Sequence, residues 1–303
     1  MPSPWLIAVK PPALLKILLP ILVGLSAGIH SVGWGNFRFA IVLVLFAALT
    51  QLFIVLLNDY ADAESDARHQ KTFPALLDVR VIPNDLISEK KILAAGLTAT
   101  VLLLVGGGVL AVWFRRPDAP WLVIAGLFLF AAYSFPPFKL NYRGGGELLE
   151  TLGVGCLLPV FGFYIYSGVH QFEIFLYVLP CVPLASISAL ASGLKHEPAD
   201  RLNGKRTFCV IFGAQKTNRF IVFLQAATLL ICVAYFLAGM HNFALLMLGG
   251  GIPAILLNKT RRLGKTADYQ HVPDLNKFKK LLLLNSLTTY AGLALSFLTL
   301  KIF

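Results

Sequence analysis

A bundle of membrane-spanning α-helices is the fold this sequence predicts, and three observations carry that reading. Of its 303 residues, 57% are hydrophobic and only 14% are charged, with a mean hydropathy of +0.74. The apolar residues come in runs of about 20, the length a helix needs to cross the hydrocarbon core of a bilayer. The charged residues collect between those runs, mostly on alternate connectors. The predicted class is therefore an all-α membrane protein with nine transmembrane helices, organised as a single domain over residues 1–303.

The runs fall at about 13–30, 38–57, 92–114, 121–136, 147–168, 173–194, 219–239, 241–258 and 281–301. Met1 to Val9 lacks a basic stretch and a small-residue cleavage site, so the first span is expected to insert and stay. The second run stops where aspartates begin. The fourth ends on Pro136-Pro137, and the fifth starts after Gly144-Gly145-Gly146, where a sharp turn is possible. Tight connectors join the fifth run to the sixth (Val169 to Phe172) and the seventh to the eighth (Met240-His241). The fourth and eighth are short, which suits a tilted or irregular segment.

Nine crossings place the termini on opposite sides, and the basic residues sort accordingly. Of 26 Lys and Arg, 22 fall on the side of the N-terminus; only Arg38, Arg115, Arg116 and Lys301 fall on the other. The rich side is cytoplasmic by the positive-inside rule. Thirteen of the 15 acids share that side, Asp118 and Glu173 being the exceptions. Ionisable groups confined to one face exclude an ion pump or voltage sensor. The net charge of +11 is thus read as topology, and no nucleic acid is expected as a partner. Cys156, Cys181, Cys209 and Cys232 sit in or beside apolar runs with no metal spacing, as small core residues do.

Four polar stretches carry candidate chemistry. Asn58 to Asp66 follows the second span, with Asp59, Asp62 and Asp66 at i, i+3 and i+7 on one face of a helix. Carboxylates held that close repel unless a cation lies between them. Hard oxygen ligands favour Mg²⁺, and Mg²⁺ held by few carboxylates usually takes phosphate oxygens as well. Lys195 to Thr207 follows the sixth span: Asp200 with Glu197 or His196 makes a second metal face, and Lys195, Arg201, Lys205 and Arg206 are placed to grip phosphate. Tyr133 to Glu147 supplies Lys139 and Arg143 for a departing diphosphate. Glu147 opens a helix, where the dipole favours an acid in any case. Lys10, before the first span, is ordinary topology by itself. The stretches after the second and sixth spans echo each other loosely.

These residues resemble the UbiA superfamily of intramembrane aromatic prenyltransferases, from Trp5 to about Gly213, with a span count that agrees beyond. Asn58, Asp59, Asp62 and Asp66 match the first aspartate-rich motif without change. Val79 to Ile82 with Leu86 to Ser88, Tyr133 to Glu147, and Asp200-Arg201 with Gly204 to Thr207 look most like the branch that prenylates 1,4-dihydroxy-2-naphthoate for menaquinone. The resemblance implies a helical barrel with a cytoplasmic polar cap, embedded in a bacterial or archaeal inner membrane. It implies Mg²⁺ on Asp59, Asp62, Asp66, Asp200 and Glu197, and a substrate site that includes Asn58, Lys10, Arg80, Tyr133, Lys195, His196, Arg201, Lys205 and Arg206. Its substrates would be a polyprenyl diphosphate and a hydroxylated aromatic acceptor. The chain departs where the second motif usually opens with aspartate: His196 stands there, Ser192 and Gly193 replace asparagines, and Lys195 replaces arginine. A His is a poor substitute in an all-oxygen Mg²⁺ shell. Alternatives are therefore an intramembrane terpene cyclase, a prenyltransferase with a non-quinone acceptor, or a lipid-binding protein on the same fold. Among phosphate oxygens His196 is expected to be charged, so that substrate affinity falls as pH rises through its pKa.

Overall fold

The computed structural model describes residues 3–76 and 79–299, and within them the chain is helical with no strand. Lys301, one of the four basic residues assigned above to the poor side, lies outside the described residues. A short helix (Pro4–Val9) and a single 3-10 turn lead into α1 (Leu14–Val32). There follow α2 (Arg38–Ala61), α3 (Ala63–Thr72), α4 (Glu89–Val112), α5 (Ala119–Ser134), α6 (Gly146–Ser167), α7 (Cys181–Gly193), α8 (Glu197–Leu202), α9 (Ala214–Leu237), α10 (Ile252–Leu263) and α11 (Val272–Thr299).

Six helices among the described residues are long and apolar enough to cross a membrane: Pro4–Val32 as one unit, α2, α4, α6, α9 and α11. The other three predicted spans fall short for local reasons. α5 has 16 residues and stops before Phe135, ahead of the paired prolines. The run at 173–194 is split into Glu173–Tyr177 and α7, with Pro180 between them; proline removes a helical donor and crowds the preceding turn. The run at 241–258 opens as a π-helical turn, Leu245–Gly251, before α10. Large apolar side chains on the outer faces stay exposed, such as Val112, Leu230 and Ile255, as lipid-facing residues do.

Small residues set how closely the helices approach. A Cβ on Gly24 of α1 would lie 1.9 Å from the carbonyl oxygen of Pro159, and one on Gly162 of α6 would lie 2.4 Å from that of Ile21. The two backbones are in direct contact there, a packing mode that membrane helices reach through glycine. Gly96 of α4 admits the Leu57 side chain of α2 in the same way. Around these crossings a core forms from Ile17, Ile21, Phe46, Phe53, Phe161 and Tyr166. All four cysteines are free, three of them buried.

Candidate active site

The polar stretches converge at the end of the bundle where α2 gives way to α3. The aspartates do not share one unbroken helix. α2 ends at Ala61, Asp62 leaves helical geometry (φ −99°, ψ 5°), and α3 resumes at Ala63. The Asp62 amide still donates to Asn58 O (2.9 Å), and the Asp66 amide to Asp62 O (2.8 Å), so the ridge of carboxylates survives the break. Asp59, Asp62 and Asp66 are all buried.

Each of the three is met by a cation from elsewhere in the chain. Lys10 Nζ donates to Asp59 Oδ1, and Arg80 Nη1 donates to the same oxygen at 2.9 Å. Arg80 Nε forms an ion pair with Asp66 Oδ2 at 3.2 Å. Lys205 Nζ donates to Asp62 Oδ2 at 3.1 Å, and the Tyr142 hydroxyl donates to Asp62 Oδ1 at 3.0 Å. Local structure aims these groups. Gln51 holds the carbonyls of Val9 and Lys10, where Lys10 takes a left-handed backbone (φ 49°). A reciprocal amide pair between Gln70 and Asn84, with Asn84 donating to Arg80 O, fastens the Arg80 loop to α3. The Arg206 amide donates to Tyr142 O, which lays the Lys205 turn over Tyr142. Lys139 and Lys205 place their ammonium groups 3.9 and 4.8 Å from the centroid of the Tyr142 ring, within cation–π range.

The second wall comes from α8. His196 caps its start, and His196 and Asp200 face the carboxylate ridge across a cavity of about 140 Å³ that Asn58, Tyr133, Asn141 and Lys205 also line. Asp200 makes no side-chain hydrogen bond or ion pair among the described residues. Burial pushes its pKa up to about 7, with Asp62, Glu147 and Asp66 adding to the rise and Lys205 opposing it. Burial likewise raises Asp66 to about 6, against the pull of Arg80. Glu197 turns the other way. It accepts from Arg201 at 3.1 Å and from the Cys209 thiol at 3.7 Å, and it is not among the cavity-lining residues. Arg143, Arg201 and Arg206 are exposed and do not line the cavity, and Lys195 lies close enough to His69 and His196 to act on both.

The expectation of a charged His196 concerns a ring among phosphate oxygens; without them, its surroundings favour the neutral form. Its ring meets that of His69 edge-on, with centroids 5.4 Å apart. Burial, reinforced by Arg80, holds His196 down to about 3 and His69 to about 4, so both are neutral near pH 7. His69 had not been singled out in the sequence, although it continues the aspartate spacing three residues after Asp66. Other lining residues that went unassigned are Ser65, Asn141, Glu150 and Asn203. Glu150 pairs with Lys16 of α1, and Glu147 accepts the Phe208 amide at 2.7 Å, which fixes the loop after α8 to the start of α6.

The donor set fits a hard divalent cation. It consists of carboxylate and amide oxygens on two walls; Asp59 is not among the cavity-lining residues, and its buried Oδ2 has no hydrogen-bond partner among the described residues. No group of three His, Cys, Asp or Glu side chains forms a ready cage among the described residues; the carboxylates are instead neutralised by Lys10, Arg80 and Lys205.

The polar cavity leads into an apolar one. A second cavity, about 320 Å³, shares Asn58, Tyr133, Glu150 and Ser192 with it and is walled by Ile17, Val55, Phe130 and Val154. A third, about 90 Å³, continues from Ile17, Ile54, Gly126 and Val154 to Phe46, Phe53 and Phe161. Together they connect a charged mouth to the apolar interior of the bundle.

Comparison with known proteins identifies the family and the fold. Residues 17–299 match the model of the UbiA prenyltransferase family. The 2-carboxy-1,4-naphthoquinone phytyltransferase of Synechocystis is 30% identical over 168 residues, 54% of this chain and about half (51%) of that protein. The 1,4-dihydroxy-2-naphthoate octaprenyltransferase of Escherichia coli is 25% identical over 248 residues, 78% of each chain. The fold is similar to a UbiA homologue from Archaeoglobus fulgidus solved with GPP and Mg²⁺ (TM-score 0.65, 18% identity, 96% of this chain and 99% of that one). It is also similar to an apo UbiA homologue from Aeropyrum pernix (TM-score 0.65, 15% identity, 92% and 96%). The chain belongs to the UbiA prenyltransferase family.

Proposed function

We propose, from that membership and the geometry of the site, that this prenyltransferase moves a polyprenyl group from its diphosphate to a hydroxylated aromatic acceptor, 1,4-dihydroxy-2-naphthoate being favoured. The observation that carries the reading is the junction of a cavity rich in carboxylates and cations with an apolar passage into the bundle. A substrate with a diphosphate head and an isoprenoid tail has the same division. The two relatives, one named for 2-carboxy-1,4-naphthoquinone and one for 1,4-dihydroxy-2-naphthoate, support the choice of acceptor.

In this reading Asn58, Asp59, Asp62, Asp66 and Asp200 hold Mg²⁺, which when bound supplies Lewis-acid stabilisation of diphosphate oxygens. The protein's own groups do the rest. Lys10, Arg80 and Lys205 already stand on the carboxylates and turn to phosphate oxygens as the substrate arrives. Lys139 and the Tyr142 hydroxyl sit beside them to take up negative charge on the leaving group. The bond from the allylic carbon to oxygen breaks, and diphosphate leaves with the electron pair. The acceptor ring attacks the cationic carbon and then loses a proton, or CO₂ from a naphthoate. The apolar walls exclude water that would capture the cation. Tyr133 stands where the polar and apolar cavities meet and positions the reacting carbon.

We further read the chain as one domain with nine crossings, counting α5, α7 and α10 as spans, with the N-terminus and the site cytoplasmic. The distribution of Lys and Arg supports that orientation. The experiment is direct. Purified protein is incubated with Mg²⁺, geranylgeranyl diphosphate and a panel of acceptors, and prenylated product and released pyrophosphate are measured. A prenylated naphthoate is the expected product. Hydrocarbon formed without acceptor would instead identify a cyclase, and binding without pyrophosphate release would identify a lipid-binding protein.

A further inference from the structure

A cavity of about 490 Å³ lies away from the reaction, between the first turns of α9 and the end of α10. Gln215, Asn218, Arg219 and Val222 line it from one face of α9, and Arg261, Gly264 and Lys265 close it from the other side. No acid lines it. Arg219 and Lys265 form no ion pair among the described residues, and Arg261 makes only a 3.4 Å contact with Asn258. The nearby acids are committed elsewhere: Asp268 to His271, and Asp274 to the Thr266 hydroxyl. This is the reverse of the active site, where each of the three aspartates has a cation.

The groove is built rather than incidental. Asn218 is buried and donates to the carbonyls of Gly264 (3.0 Å) and Ala267 (2.7 Å), locking α9 to the turn after α10. Its Oδ1 is buried without a partner. Lys216 and Arg219 stand near the N-terminus of a 24-residue helix that has no acid in its first turn and no side-chain cap. Cations at that end oppose the helix dipole, and a bound anion relieves the conflict. Beyond Arg219, α9 turns apolar: Val222 lines the inner end, and Phe220 and Phe223 are exposed beside it. The groove therefore opens at the level where polar surface gives way to lipid.

We infer that this groove binds the phosphodiester headgroup of an anionic bilayer lipid, its acyl chains running down α9 past Phe223. A hydroxylated headgroup such as glycerol also offers a donor to Asn218 Oδ1. Basic residues at such a surface each strengthen anionic lipid binding by about fivefold.

The test is native mass spectrometry of the detergent-purified full chain titrated with phosphatidylglycerol or phosphatidylcholine. The variant carries Arg219→Gln, Arg261→Gln and Lys265→Gln; a control carries Lys90→Gln and Lys91→Gln at a different basic stretch. The expected result is a loss of first-lipid occupancy by phosphatidylglycerol of about tenfold or more in the triple variant, with phosphatidylcholine unchanged and the control like wild type. Prenyl transfer in mixed micelles without anionic lipid should match wild type, which shows the variant is folded. Equal loss in the control, an unchanged preference in the triple variant, or full displacement of the lipid by equimolar inorganic phosphate would each overturn the assignment.

Discussion

The two acidic walls of the active site are held in opposite ways. On the first, Asp59, Asp62 and Asp66 are buried and engaged by Lys10, Arg80, Lys205 and Tyr142, groups drawn from four separate parts of the chain. On the second, Asp200 has no side-chain hydrogen bond or ion pair among the described residues, Glu197 faces away into contacts with Arg201 and Cys209, and His196 is neutral against His69. The first wall is thus set by folding alone, whereas the second is set by what binds. A half-buried carboxylate with no side-chain hydrogen bond or ion pair among the described residues is left for a ligand to engage.

Substitution of one aspartate on each wall should break this contrast most sharply. Asp62→Ala removes the partner of a buried Lys205 and should lower stability by about 3–5 kcal/mol and turnover on the order of 10²–10³-fold, read by thermal melts and product formation. Asp200→Asn should also lose turnover, yet the metal-free protein should melt no lower than wild type, because the change removes a half-buried carboxylate rather than an ion-pair partner. Equal melting losses for the two would erase the distinction.

Acidity offers the next largest effect. Asp66 near 6 and Asp200 near 7 retain protons as pH falls, and a cation must displace them. Half-saturating Mg²⁺ should therefore rise as pH drops below 7, by roughly tenfold per unit for each proton displaced. Stability is a poorer readout because the signs oppose. The raised carboxylates contribute stability below their ordinary range, and that contribution is lost as pH rises through 6 to 7. The lowered His69 and His196 contribute above pH 6.5, and theirs is lost as pH falls toward 4 and 3. Substrate-binding curves for His196→Gln from about pH 5.5 to 8.5 test the imidazole directly: curves that track wild type show that it stays neutral beside phosphate, and loss of a pH dependence that wild type has shows that it takes up a proton on binding.

Smaller changes sharpen the picture of the second wall. His196→Asp adds a hard oxygen ligand on the cavity side and should reduce half-saturating Mg²⁺ by about fivefold. Glu197→Gln should alter it by less than about twofold while costing about 1 kcal/mol of stability through weakened contacts to Arg201 and Cys209. A large metal effect at Glu197 with none at His196 would reverse the assignment of the two.

The helical character of the chain was legible because apolar runs and glycine–proline punctuation are local signals. So was the first aspartate wall, whose spacing is itself a statement about a helix face. What escaped was whatever depends on two segments meeting. Tyr142 lies in a stretch singled out for Lys139 and Arg143, but only the fold brings its hydroxyl to Asp62, 80 positions away. The choice between His196 and Glu197 turns on a rotation of about 100° within one short helix, which spacing cannot fix without the neighbours of α8. Span counting failed to become span length for a similar reason: hydropathy does not register that Pro180 divides one run or that Leu245–Gly251 unwinds to a π turn.

The backbone contact between α1 and α6 at Gly24 and Gly162 bears on the proposed product. Ile17 and Val154, on these two helices, wall the passage in which an isoprenoid tail would lie. With the backbones touching, that side of the bore cannot swing outward to admit a longer chain. In the proposed reaction the passage would work as a ruler with a fixed edge and a movable stop, the stop being the aromatic rings of Phe46, Phe53 and Phe161 at its far end. Chain-length preference would evolve by trading single side chains at that stop, leaving the helical frame and the charged mouth untouched.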